Sequence, residues 1–170
     1  EAGALTRTPA AEALKWVADE CDAIIQSGAL PFRYTNENEN WGRINGAAVY
    51  ALKSRALLYR ASPLNNPTND LSWWKEAADA ALAFINTNKS SANPYRLYTT
   101  DGTETGDPSK NYYECFTTTP HLNNEYILSR SEWTTNQLEL NNAPCGFQGN
   151  ANAHGRTNVT QNLVDAYETI

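Results

Sequence analysis

Apolar residues recur at helical spacing in three stretches of the chain, and that order fades beyond residue 88. In the first stretch Leu14, Val17, Ala18, Cys21 and Ile25 share one face of a helix over about residues 9–26. Thr8 is read as its N-cap, Pro9 as its first helical residue and Gly28 as its stop, with Glu12 favourable to the helix dipole. A second helix is predicted over about 44–61. Its alanines at 47, 48, 51, 56 and 61 let neighbouring helices approach, and Leu52, Leu58 and Tyr59 supply bulk. Pro63 and Pro67 end it, because proline lacks an amide proton and clashes with the preceding turn. A third helix, from near Ser72 to about Asn86, carries Trp74, Ala77, Ala78, Ala81 and Ile85 on one face. Two alanine-rich helices joined by a short Pro/Asn turn form an antiparallel pair of tetratricopeptide type, which relies on neighbours to cover its flank.

Residues 29–43 read as an irregular connection. After Asn88 the texture turns to Asn, Thr, Ser, Gly and Pro with interspersed aromatics. There Glu125-Tyr126-Ile127-Leu128-Ser129 reads as a short strand, and Thr160–Glu168 as a short helix capped by Thr160. The polar stretch from Arg130 to Val159 is long for a structureless loop, and such loops are usually functional or disordered. The expected fold is therefore mostly α: a tetratricopeptide-like helical repeat scaffold with a long irregular loop region and little strand. Residues 1–88 form its helical part, and residues 89–170 the loop-rich part of the same domain, with a strand near 125–129 and a helix near 161–168.

Composition narrows the function. At 170 residues, with 41% hydrophobic residues, 5 Trp and 9 Tyr, the chain has the material for one folded domain. A net charge of -6 with scattered Lys and Arg opposes binding to nucleic acid. No apolar run approaches the ~20 residues that span a bilayer. Cys21, Cys115 and Cys145 lie far apart, without the close pairing of zinc ligands. Cys21 falls on the apolar face of the first helix, and a disulfide between Cys115 and Cys145 is left open. Asp101–Asp107 resembles a calcium loop only superficially, because Tyr112 stands where the twelfth-position glutamate would be. The histidines, His121 and His154, are isolated. No metal or cofactor is expected.

Several motifs then fall in a meaningful order. Arg7-Thr8-Pro9 with Glu12 precedes the first helix, and Trp41-Gly42-Arg43 introduces the second, which stops at Ser62-Pro63-Leu64-Asn65-Asn66-Pro67. Asn124-Glu125-Tyr126-Ile127-Leu128 follows the helix pair, and Val159 through Glu168 closes the series. Together these resemble the RagB/SusD family of nutrient-binding outer-membrane lipoproteins of Bacteroidetes; Val159 and Tyr167 depart from that family's usual Pro and Phe. Family members are several hundred residues long, so the resemblance implies an internal portion of such a protein. It further implies a surface-exposed, exported lipoprotein, held at the outer membrane by an N-terminal lipid absent from this chain. That protein would bind oligosaccharide nutrients without catalysis and deliver them to a SusC-like TonB-dependent transporter. A helical-repeat scaffold or a peptide-binding component of the same kind of transporter is the alternative, and a glycoside hydrolase a lesser one.

A carbohydrate site needs aromatic faces for sugar rings and planar polar groups for hydroxyl pairs. Trp133, in the long loop, is the candidate platform, with Asn136, Asn141, Asn142, His154 and Arg156 as hydrogen-bonding partners. The competing reading is that Trp133 plugs the scaffold and the asparagines shape turns. Tyr112 and Tyr113 form a second candidate. On an extended segment they would point to opposite faces, so at most one, assigned as Tyr113, would face a ligand, and the competing and favoured reading is that both are structural. Trp73 and Trp74 are expected to cover a helix flank, and Arg43 to pair with a nearby carboxylate. A hydrolase would need two carboxyls about 5–9 Å apart across the scissile bond, and no pair in the sequence marks itself as such.

Overall fold

The computed structural model describes residues 7–100, 107–119, 123–129, 137–145, 147 and 155–167. The described residues are mostly helical, with seven helices and no strand among them. The chain divides into two compact units, Glu1–Arg130 and Ser131–Ile170.

The first unit is built on α1 (Ala10–Ser27), α3 (Gly46–Ala61) and α4 (Leu71–Ser90), with α3 packed against both others. Pro9, not Thr8, occupies the N-cap of α1. Its extended backbone precedes the helix, and its carbonyl accepts from Glu12 and Ala13 at 3.1 Å. No side chain caps this end. Gly28 closes the helix at φ 62°, a left-handed conformation that costs glycine least. Ala18 and Cys21 are buried on the expected face, with Leu14, Val17 and Ile25 half-buried.

The connection to α3 contains one short helix, α2 (Glu37–Asn40), capped by the Asn36 side chain. Gly42 turns the chain at φ 76°, and Arg43 pairs with the Asn40 carboxamide at 2.9 Å, not with a carboxylate. The start of α3 then lies directly on the preceding loop. The Gly46 and Ala47 amides donate to the carbonyls of Pro31 and Phe32 at 2.8 and 3.1 Å, and Asn45 Oδ1 takes the Ala48 amide at 2.9 Å. A Cβ at position 46 would stand 3.1 Å from Phe32 Cα and 3.2 Å from the Pro31 carbonyl oxygen, which accounts for glycine there.

Where the helices meet, small residues dominate. Ala18 of α1, Leu57 of α3, and Ala77 and Ala80 of α4 form one buried cluster. This corrects two expected faces. Leu52, Leu58 and Tyr59 are each more than half exposed, and the buried bulk of α3 is Val49 and Leu57. On α4, Ala77 is buried as expected and Ala81 half-buried, but Trp74, Ala78 and Ile85 are exposed and Ala80 takes the interior place. Alanines make the close approach, so residue size is a poor guide to the inward direction. Between α3 and α4, Asn66 is 2% exposed and knots the turn: its carboxamide accepts the Asp70 amide at 2.8 Å and donates to the Asp70 carbonyl at 3.0 Å. Asp70 caps α4 by accepting the Ser72 amide at 2.8 Å. Trp73 does cover a flank, because the Arg60 guanidinium lies 3.9 Å above its ring while also pairing with Glu76 at 2.7 Å.

Beyond α4 the structure departs further from expectation. Residues 108–117 form a helix, α5 (Pro108–Thr117), so Tyr112 and Tyr113 are helical, not extended. Residues 125–129 are not a strand. Arg96 donates its amide to the Asn124 carbonyl at 3.1 Å, but side chains take over from there. The Glu125 carboxylate accepts the Tyr98 amide at 2.9 Å, and the Asn45 carboxamide donates to the Ile127 carbonyl at 3.3 Å. A ladder cannot propagate where side chains have taken the backbone partners.

The second unit holds α6 (Gln137–Asn142) and α7 (Gln161–Ala166). The Gly155 and Arg156 amides donate to the Ala143 and Asn141 carbonyls at 2.9 and 2.8 Å. Thr160 caps α7 as expected, accepting the Leu163 amide at 3.3 Å.

Candidate functional site

The first unit carries an aromatic cleft between residues 96–99 and α5. Its volume is about 710 Å³ as bounded by the described residues, within the ordinary range for ligand sites. Helix α5 supplies Tyr112, Cys115 and Phe116 to one wall because these positions, three and four residues apart, share a face. Asp107 starts that helix by accepting from the Ser109 and Lys110 amides at 2.9 and 3.4 Å, and Pro108 sits in its first turn, where a missing amide proton costs nothing.

The two walls are tied at their join. Glu125 Oε2 accepts the Tyr98 amide at 2.9 Å and lies 3.5 Å from the Cys115 thiol. Asn123, 1% exposed, donates to the Cys115 carbonyl at 2.8 Å and accepts the Glu125 amide at 2.9 Å. Tyr126 donates its hydroxyl to the same carbonyl at 3.0 Å. Burial is the main cause that pushes the Tyr126 phenol above its ordinary pKa. Asn111 Oδ1 holds the Thr100 amide at 2.9 Å, which leaves its NH₂ group as a donor on the cleft wall.

Against this rigid base the ligand-sized surface is aromatic. Tyr112 and Phe116 meet edge to face, with centroids 5.1 Å apart, and are 68% and 66% exposed. Two large apolar rings held so far out of the interior, beside an amide donor, a guanidinium (Arg96) and a carboxylate, form a surface suited to stacking and hydroxyl recognition. Among the described residues lining the cleft, Glu125 is the one carboxylate, and it meets the Tyr98 amide and the Cys115 thiol through Oε2.

The structure distributes the sequence-predicted residues unevenly. Trp133, Asn136 and His154 lie outside the described residues, as do residues 101–106 of the superficial calcium loop. Arg156 is exposed in the second unit, joined through its backbone to Asn141, and Asn142 is exposed nearby in sequence. Tyr113 is 68% exposed on α5 but does not line the cleft; Tyr112 does. Arg96, Tyr98, Asn111 and Phe116 were not singled out by sequence. A signal for the helix was present, however, in Asp107-Pro108 followed by apolar residues at 112, 115 and 116. The cysteines are all free, Cys21 and Cys115 buried and Cys145 exposed. No helix among the described residues is long and apolar enough to cross a membrane. No family model matches the chain, and neither a curated protein nor a solved structure matches it.

Proposed function

We propose that the protein is a non-catalytic module that captures oligosaccharide at the cell surface and presents it to a SusC-like TonB-dependent transporter, in the manner the RagB/SusD resemblance implies. The observation that carries the binding half of this reading is the exposed Tyr112–Phe116 pair above a base fixed by Asn123, Glu125 and Tyr126. Rings on a preorganised wall lose little entropy when a sugar stacks on them. A hydrolase reading has less support, since a glycosidase sets a second carboxyl across the bond from the first. The transporter and the outer-membrane location rest on the sequence motifs alone, and a fold does not by itself assign a function.

The test is a glycan array probed with the protein, with Tyr112→Ala and Trp133→Ala alongside. Binding to one polysaccharide class without release of reducing sugar, weakened by Tyr112→Ala, is expected. Loss only in Trp133→Ala would move the site to the second unit. Release of reducing sugar would replace capture by hydrolysis, and silence across the array would overturn the glycan reading.

A further inference from the structure

The charged groups of the cleft are not equivalent. Glu125 meets the Tyr98 amide and the Cys115 thiol through Oε2 alone, which anchors it at the join of the two walls while Oε1 has no donor among the described residues. Lys110 lies 3.8 Å from Glu114 on the surface of α5. Arg96 lines the cleft, is exposed, and its guanidinium has no carboxylate or hydrogen-bond acceptor among the described residues; only its backbone amide is bonded, to Asn124. The other arginine beside this region, Arg33, is buried and consumed by Glu37, Asn93, Pro94 and Asn124. The cleft thus combines stacking rings with one uncommitted planar cation.

We infer that the cleft selects uronic-acid-bearing oligosaccharides, with Arg96 taking the sugar carboxylate while Tyr112 and Phe116 cover ring faces. This rests on the glycan-binding reading and specifies its ligand. A guanidinium presents two parallel N–H donors that match a carboxylate, a geometry neither a neutral hydroxymethyl group nor an amino sugar offers. The chain's net charge of -6 gives no general attraction for anions, so the preference is local to Arg96.

Calorimetry on the protein separates this from the parent reading. Tetrasaccharides of galacturonate, glucuronate and mannuronate would be titrated beside their methyl esters and beside neutral cello-, xylo- and malto-tetraose. At least one acid is expected to bind roughly tenfold tighter than its ester, with the gap closing in Arg96→Gln, narrowing with added salt and partly kept in Arg96→Lys. Equal binding of acid and ester, a gap that survives Arg96→Gln, or binding of neutral glycans alone would overturn the uronate inference and leave glycan capture standing. Binding of no saccharide, acidic or neutral, would overturn both.

Discussion

Among the described residues of the first unit Arg33 is the most heavily committed side chain, with 3% of its side-chain surface exposed. It forks onto both oxygens of Glu37, reaches Asn124 at 2.9 Å and the Pro94 carbonyl at 3.3 Å, and lies 4.3 Å over the Tyr95 ring. One residue therefore joins the loop before α2 to the segments at 93–95 and 124. Breaking a buried pair by removing one partner leaves the other groups desolvated and unpaired, so Arg33→Ala should cost about 3 kcal/mol in urea unfolding. Arg33→Lys should recover little, because an ammonium cannot form the fork. A loss below roughly 0.5 kcal/mol, the scale of a surface change, would contradict this role. Tyr95 belongs to the same cluster. Burial raises its phenol above the ordinary 10.0, and Asn45 donates to its oxygen at 3.0 Å. A raised folded pKa gives stability that is complete below the unfolded value and lost as pH climbs through the folded one. Unfolding midpoints should therefore fall more steeply above about pH 10 than in Tyr95→Phe.

At the scale of elements, α3 tests whether the helices pack as described. Leu57 is 4% exposed in the alanine-rich cluster, while its neighbour Leu58 is 51% exposed. Leu57→Ala should cost about 2–4 kcal/mol and Leu58→Ala under about 1, measured as the shift in denaturant midpoint. Equal losses would mean that the inward face is wrong. The cap of α4 adds a pH signature. Hydrogen bonds from Ser72, side chain first and backbone second, hold the Asp70 carboxyl below its ordinary 3.8. Its contribution is present above that value and lost as pH falls through the folded pKa, so the stability difference between the native protein and Asp70→Asn should shrink between pH 5 and pH 2. A constant difference would exclude the cap as its source. These elements also show what the sequence made legible. The extents of α1 and α3 and the start of α4 follow from spacing, prolines and Gly28, all of which act locally, whereas α4 runs on to Ser90, past the expected end near Asn86. The inward faces of α3 and α4 do not, because alanines fill the contacts and leave Leu52, Leu58 and Trp74 outside. Helix α5 was hidden by polar composition despite its Asp107-Pro108 start, and with it the partnership of Tyr112 and Phe116. The expected strand at 125–129 depended on a partner ladder that Glu125 and Asn45 replace with side-chain bonds.

For the molecule as a whole, the helices serve to hold a wall. The α1–α3–α4 layer is the packed base of the first unit, Asn88 at the end of α4 grips both the amide and the carbonyl of Tyr95 at 2.8 Å, and residues 96–99 leave that grip as one side of the cleft. Asn123, Glu125 and Tyr126 then fix α5 as the other side. The exposed rings of Tyr112 and Phe116 are thus mounted on a frame to which they contribute little burial of their own. Removing Tyr112 should leave folding intact and act on recognition alone. The most direct measurement is calorimetric titration of the protein and of Tyr112→Ala with the glycan that an array identifies. Affinity is expected to be roughly tenfold weaker in the variant, the scale of one lost ring-stacking contact, with an unchanged unfolding midpoint. Equal affinity in the two proteins would show that the Tyr112–Phe116 pair is not the binding surface.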